Sequence, residues 1–468
     1  MGNGTFGLNL NTTGLGLNQG INVQQTVASL VAAAEQPEQP LLTEQQFYSS
    51  QQSAVSNINN LLGDLQTAIQ ALQDPVGALA ATAATSSNTN VLTAATTTGA
   101  TTGTHTVVVN SLATTSSYDT DALASGDTAF GQGQFTLQVG SNSPVTVTVD
   151  SSNDTLNTLA AYINSQNDGV SASVVTDANG ARLALVSNTT GAPGDLTISG
   201  NTTGLTFNKT ATGANSSITV DNVPLNTTSN TVTGAIPGVT LNLTGTSASP
   251  VTLTVAADTT QTATAINNFV SAYNAVIQAV NTQFTYTQGA TQQPPLFSDA
   301  SLQQVQQQLY TDVNYSISGN SGITSLASLG VSLQSDGTLK ADSGALNAAL
   351  SANPSAVQNL FQQTGGTNGF AINFGNDLLN LTNPATGPLY LDAQGISQNQ
   401  QSLKDQINDF QARINQQQQL WYKEYAQVNS TLQTLPLLIR QIDAQLGALG
   451  GGSSSSSGLP SSSSSSGL

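Results

Sequence analysis

The 468-residue chain carries 7 Lys plus Arg against 25 Asp plus Glu, and charged residues make up only 7% of it, where about a quarter is usual. A formal charge of −18 with so few cations excludes nucleic acid and insertion into or adhesion to an anionic membrane, because clustered Lys and Arg hold both kinds of partner. Cysteine is absent and there is one His, which removes disulfides, thiolate chemistry and Cys-type zinc sites; the length suits about three domains.

Residues 1–20 are mainly Gly, Asn, Thr and Leu without a lasting period, and are expected to be disordered or to order on assembly. The first basic residue is Arg182 and residues 14–34 are too polar to span a bilayer. If the protein leaves the cell, a route that does not read a cleavable signal peptide is expected. From Ile21 to Ala34 the residues Val23, Val27, Leu30 and Val31 predict a short amphipathic helix, ended by Pro37 and Pro40. A longer helix over 41–73 follows, with Tyr48, Val55, Ile58, Leu62, Leu65, Ile69 and Leu72 three and four apart, stopping at Asp74 and Pro75.

Between about residues 88 and 262 the period changes to two. Runs at 105–110, 134–139, 145–149, 170–175, 183–186, 240–243 and 251–255 alternate as half-buried strands do, between turns rich in Gly, Asn, Asp and Pro. One helix interrupts them, with Asp154 expected as its cap and Leu156, Leu159, Ala160 and Ile163 on one face. Helical period returns at Thr262 through Ile266, Phe269, Val270, Tyr273, Val276, Ile277 and Val280, and shorter helices are expected over 302–313, 343–349 and 354–361.

The last helix carries the longest stripe: Leu403, Ile407, Phe410, Ile414, Trp421, Tyr425, Val428, Leu432, Leu435, Ile439, Ile442, Leu446 and Leu449. If continuous it would reach about 70 Å. An offset of four between Trp421 and Tyr425 reads as a stutter, and Pro436 is expected to kink or break the helix. A stripe of this period seals only against another helix, so both chain ends ask for partners. The alternative is a face on the chain's own bundle core. From Gly450 onward a Gly/Ser tract reads as a flexible tail.

Chemistry for an enzyme is missing from this pattern, and no catalytic residue, cofactor or metal is expected. His105 stands alone in a strand, where a structural role is the common one, and has no Cys or second His for a triad or metal site. Gly131 and Gly133 lack the strand, Gly loop and helix order of a dinucleotide site, and Asp177, Asp195 and Asp221 sit in turns beside Asn or Gly.

Several local strings share one resemblance. Gly14-Leu-Gly-Leu-Asn-Gln-Gly-Ile-Asn-Val23 and the helix that follows it resemble the N-terminal signature of bacterial flagellar filament-capping proteins, of the hook-associated type. Leu156 to Ile163, Asn164, Gly169, Val170, Ala172 and the run Gly180-Ala-Arg-Leu-Ala-Leu-Val-Ser187 with Gly191 resemble the repeat inserted in the outer domains of flagellins and caps. Ile236-Pro-Gly-Val-Thr-Leu-Asn-Leu243, Asn268-Phe-Val-Ser-Ala-Tyr-Asn274, Leu329-Gly-Val331, Asn353-Pro354, Val357 and Leu360-Phe361 continue the pattern in the family's order. Pro436, the near absence of charge and the Gly/Ser tail depart from it.

The resemblance implies an α+β multidomain chain: a helical coiled-coil or bundle domain built from both chain ends, with two β-rich domains inserted between them. Its expected parts are an N-terminal segment (1–40), a helical leg (41–87 and 263–449), a first β-rich domain (88–120 and 205–262), a second (121–204) and the tail (450–468). It implies secretion through the flagellar type III apparatus, a ring of several copies at the distal filament tip, and insertion of flagellin beneath it. The implied partners are further copies of the chain, flagellin, hook-associated junction proteins and a type III export chaperone. Self-association and filament contact would fall on Val23, Val27, Leu30, Val31, Ile58, Leu62, Leu65, Ile69, Leu403, Ile407, Phe410, Ile414, Trp421, Tyr425, Val428 and Leu432. Two alternatives stand beside this: a flagellin or hook-filament junction protein, and a surface adhesin whose β domains bind host mucin or glycan.

Overall fold

The computed structural model describes residues 22–290, 292–362 and 368–449. The expected disorder of residues 1–20 and the tail from Gly450 lie outside the described residues. Asn22 opens α1 (Val23–Ala34) by accepting from the Gln25 N–H at 3.1 Å. Next comes α2 (Glu38–Gln73). Pro40 therefore does not end a helix as expected. It stands in the first turn of α2, where a backbone N–H has no partner to lose.

The strand region runs β1 (Thr82–Ser86), β2 (Leu92–Thr96), β3 (Gly103–Ser111), β4 (Thr115–Thr120), β5 (Gly133–Val139), β6 (Val145–Val149), α3 (Leu156–Gln166), β7 (Val170–Asp177) and β8 (Gly180–Thr190). It continues with β9 (Leu196–Ser199), β10 (Phe207–Ala211), β11 (Ser216–Val220), β12 (Val223–Thr227), β13 (Thr231–Ile236), β14 (Val239–Leu243) and β15 (Val251–Ala257). Helices return as α4 (Thr259–Phe284) and α5 (Ala300–Val313). A hairpin of β16 (Val331–Leu333) and β17 (Leu339–Ala341) precedes α6 (Ser343–Ala352), α7 (Pro354–Gln362), α8 (Phe370–Leu381) and α9 (Pro388–Leu449).

The chain divides into two compact units. Unit 1 draws on the described parts of Met1–Asn57 and Pro388–Leu468 together with Gln283–Asp299; unit 2 takes Ile58–Thr282 and Ala300–Gly387.

Unit 2 holds two β cores. In the first, a five-stranded sheet ordered β1-β15-β3-β11-β12 and a three-stranded sheet β13-β14-β2 share a core that includes Leu92, Val107, Ile218, Leu241 and Leu253. In the second, sheets β10-β4-β8-β7 and β6-β5-β9 close with α3 over Phe135, Leu156, Leu159, Ile163, Leu183 and Leu185. Register explains two departures from the expected boundaries. The strand β1 pairs Thr82 with Ala257 through Ser86 with Leu253, so the first core starts before residue 88. Both β4 and β10 pair within the second group, so the chain crosses between the cores after Ser111 and before Ser216. The cap of α3 is Thr155, not Asp154. Thr155 has the extended backbone a cap needs and accepts from Thr158 N–H at 3.3 Å, while Thr158 Oγ1 accepts from Thr155 N–H at 3.2 Å.

Amide side chains act here as strand partners. Asn164 accepts from Ala172 N–H at 2.8 Å and donates to Ala172 O at 2.7 Å. Asn230 does the same for Ala113 (2.7 and 2.9 Å), and Asn274 for Leu339 (2.6 and 2.8 Å). One side-chain amide supplies the donor and acceptor that a neighbouring strand would, which satisfies both backbone groups where no strand passes. Charge-poor composition thus has a structural use.

The helical part of unit 2 packs rings edge to face: Phe269 with Phe370 and Phe374, centroids 5.5 and 5.3 Å apart, and Phe361 with Phe370 at 5.8 Å. Ile58, Leu62, Leu65, Ile69 and Leu72 of α2 are buried there. Gln362 closes the C-terminus of α2, donating to the carbonyls of Leu72 and Asp74 at 3.0 and 2.7 Å. The helix α8 was not among the expected elements, although Phe370, Phe374, Leu378 and Leu381 carry its period.

Candidate assembly surface

The surface with the clearest unmet demand lies on α9 in unit 1. Its 62 residues extend about 93 Å at the usual rise. Pro436 lies inside it without ending it, a correction to the expected break: one lost backbone bond does not terminate a ladder of that length.

Near its start α9 is covered by its own unit. Leu389, Ile396, Leu403 and Ile407 are buried, α1 packs on α9 and Gln411 Nε2 donates to Glu38 Oε1 at 2.6 Å. Val27 of α1 is fully buried, whereas Val23, Leu30 and Val31 are half-buried. Phe410, Ile414, Trp421 and Tyr425 are half-buried, with the Arg413 guanidinium 5.7 Å from the Phe410 ring centroid. Beyond Tyr425 cover ends. Leu432 is 39% and Leu446 60% exposed, and Val428, Leu435, Ile439 and Ile442 lie open with them. Leu437 and Leu438 add apolar side chains off the stripe, so residues 435–439 form a continuous apolar run, exposed at every position but the half-buried Pro436. An exposed apolar stripe of this length normally marks a surface that another protein covers.

The sequence-derived contact residues thus fall into four environments, the seven half-buried ones on α1 and mid-α9 being one of them. Ile58, Leu62, Leu65 and Ile69 are spent inside unit 2, Val27, Leu403 and Ile407 are spent inside unit 1, and Val428 and Leu432 begin the open stripe. Spacing could not separate them, because a stripe facing its own bundle and one facing a partner share a period.

His105 Nδ1 lies 2.7 Å from Asp221 Oδ2, and Asp221 Oδ1 accepts from Thr106 N–H at 2.8 Å. Those bonds from His105 and Thr106 hold the Asp221 carboxyl below its ordinary range. The pair ties β3 to the turn between β11 and β12, a structural role for the single His. Among the described residues, no group of three or more His, Asp or Glu is placed to hold a metal ion, and no helix is long and apolar enough to cross a membrane.

Three family models match the chain: Flagellar hook-associated protein 2 C-terminus over residues 213–435, Flagellar hook-associated protein 2 N-terminus over 19–116, and Flagellin hook IN motif over 134–189. The last covers β5 to β8 with α3, the central part of the second β core. Together they define a protein of the bacterial flagellum. The B-type flagellar hook-associated protein 2 of Pseudomonas aeruginosa is 29% identical over 388 residues, 76% of this chain and 79% of that protein. Flagellar hook-associated protein 2 of Escherichia coli is 28% identical over 453 residues, 90% and 95% of the two chains. The crystal structure of the flagellar cap protein FliD from Escherichia coli superposes with a TM-score of 0.55 and 29% identity, covering 74% of this chain and 99% of that one. The chain belongs to the flagellar hook-associated protein 2 family, the filament caps.

Proposed function

We propose that this protein is exported and caps the distal end of the flagellar filament as a ring of several copies, promoting insertion of flagellin subunits beneath it. The observation that carries this reading is the open stripe from Val428 to Leu446 on α9. Covering a large apolar side chain contributes roughly 1.5–3 kcal/mol, so several such residues on one helix supply a strong but sequence-tolerant grip on other helices. A cap must hold a lattice that it does not match and shift as each subunit is added. Contacts through apolar stripes permit that better than ion pairs of fixed geometry, and with few charges available, salt should matter little.

Tip labelling by electron microscopy tests the assignment: labelled protein is expected at filament tips, and labelling along the shaft would point to a flagellin or junction role. A second test removes residues 1–36, which include α1 and its contact with α9. The truncated protein should keep its β cores yet fail to bind the tips of uncapped filaments when added in purified form, a step that bypasses export. Tip binding equal to that of the full chain would return α1 to packing within unit 1.

A further inference from the structure

The helical part of unit 2 seals an acid pair without a cation. Asp312, next to last in α5, is 2% exposed, and Asp377 on α8 lies close enough that one side-chain amide reaches both carboxyls. The Gln308 side-chain nitrogen donates to both, to Asp312 Oδ1 at 2.8 Å and Asp377 Oδ2 at 3.3 Å. This single donor group leaves Asp312 Oδ2 buried with no partner while both acids are ionised. From α4, the fully buried Tyr273 stands within electrostatic reach, its own hydroxyl unpartnered.

The surrounding helices offer no compensation. Across α4, α5, α7 and α8 the titratable residues are Tyr273, Tyr310, Asp312 and Asp377, with no Lys, Arg or His. Further out, Asp336 adds negative charge near Tyr310, and Asp64 on α2 and Lys340 on β17 are exposed. Two ionised carboxylates in contact, one of them buried, are strongly unfavourable, and one shared proton removes the repulsion while supplying the missing donor. A cation would need more donors than the two acids offer.

We propose that Asp312 and Asp377 form a proton-sharing acid pair that fastens α5 to α8, and that loss of this proton loosens the joint. Burial first, and then the charge of Asp377, push the Asp312 carboxyl up to about 7 from an ordinary 3.8, against the opposing effect of Gln308. The native state therefore binds the proton more tightly than the unfolded chain. Stability from this pair is greatest at low pH, falls as pH rises from about 3.8, and reaches its floor above about 7. Over that window the folding equilibrium constant should drop by up to about tenfold per pH unit for one proton.

The experiment is thermal melting of the full chain from pH 5 to 9, comparing wild type with Asp312→Asn and Asp377→Asn. Wild-type Tm should fall toward alkaline pH more steeply than that of Asp312→Asn, which has no carboxyl there to ionise, and than that of Asp377→Asn, where burial still raises Asp312 but the neighbouring charge is gone. The infrared band of protonated carboxyls at pH 6.5 should be weaker in Asp312→Asn than in wild type, with Asp392 contributing equally to both. Should Asp312→Asn fail to fold, the less buried Asp377→Asn carries the same comparison. Equal pH slopes in wild type and Asp377→Asn would overturn the proposal. So would millimolar Mg2+ or Ca2+ restoring the Tm of wild type at pH 8.5 but not that of the variants, since the pair would then be a cation site.

Discussion

The two β cores and the far end of α9 draw on similar apolar residues and meet opposite fates. In the β cores, Val107, Phe135, Leu185 and Leu253 point alternately inward and each meets another strand or α3 within the same unit. On α9 the residues from Val428 to Leu446 also keep a regular period, yet nothing among the described residues covers them. A sheet closes its hydrophobic face by pairing and stacking with its neighbours in the chain. A single long helix cannot fold back on itself, so its stripe stays open until another helix arrives.

Core truncation should separate the regions most strongly. Phe135→Ala or Leu185→Ala should cost about 3–5 kcal/mol in chemical denaturation, whereas Ile439→Ala should change the stability of the dispersed chain by less than about 0.5 kcal/mol. Equal costs would mean that the distal helix is already packed in the monomer. Next in size is the split within α9. Changing Leu432, Ile439 and Ile442 together to Ser should reduce oligomer size in light scattering while circular dichroism keeps the β signal. Ile407→Ser, at a buried site, should instead destabilise unit 1 by about 2–4 kcal/mol. Loss of self-association only in the second case would invert the reading.

Self-sufficiency of the strands can be sharpened by where the chain is cut. A fragment of residues 82–262 should melt cooperatively and at a higher temperature than 88–262, which lacks β1 and leaves β15 with a bare edge. Fragments that melt together would show that β1 adds nothing. A smaller effect is expected at Asp392, whose carboxyl is pushed up to about 6 by burial and then by Asp299. Its native state also holds the proton more tightly, so stability falls as pH rises from about 3.8 to about 6. Asp392→Asn should flatten that decline by a few degrees of Tm, and an unchanged profile would remove Asp392 from the pH response. Salt should have the least effect. Lys209 with Asp195 is a partly exposed ion pair, and His105 with Asp221 a hydrogen-bonded pair, so raising NaCl from 50 to 500 mM should move Tm by no more than a degree or two.

Much of this was legible in the residues, element by element. The strands around 105–110, 134–139 and 251–255 were readable because alternation of Val, Phe and Leu with Thr and Gln is a local signal. The helix α3 was readable from Leu156, Leu159 and Ile163, but its cap was not: Asp154 and Thr155 are both capping residues, and only backbone geometry at Thr155 chose between them. The strands β1, β2 and β4 escaped because Thr, Ala and Ser dominate them. Their strand character comes from the partners they meet. Within the candidate surface the stripe was visible, while the point at which it leaves cover, after Tyr425, was not.

By itself the sequence determined the alternation of helical ends and a strand-rich middle, the scarcity of the Lys and Arg that nucleic-acid binding requires, and the family to which its local strings belong. These depend on spacing and residue type, which act over a few residues. Tertiary structure decided which strands share a sheet, which Asn side chains clamp a distant backbone, that Asp312 and Asp377 meet without a cation, and which apolar residues remain open. Each of those depends on residues far apart in the chain being brought together, where burial and partnership rather than residue type set the energy.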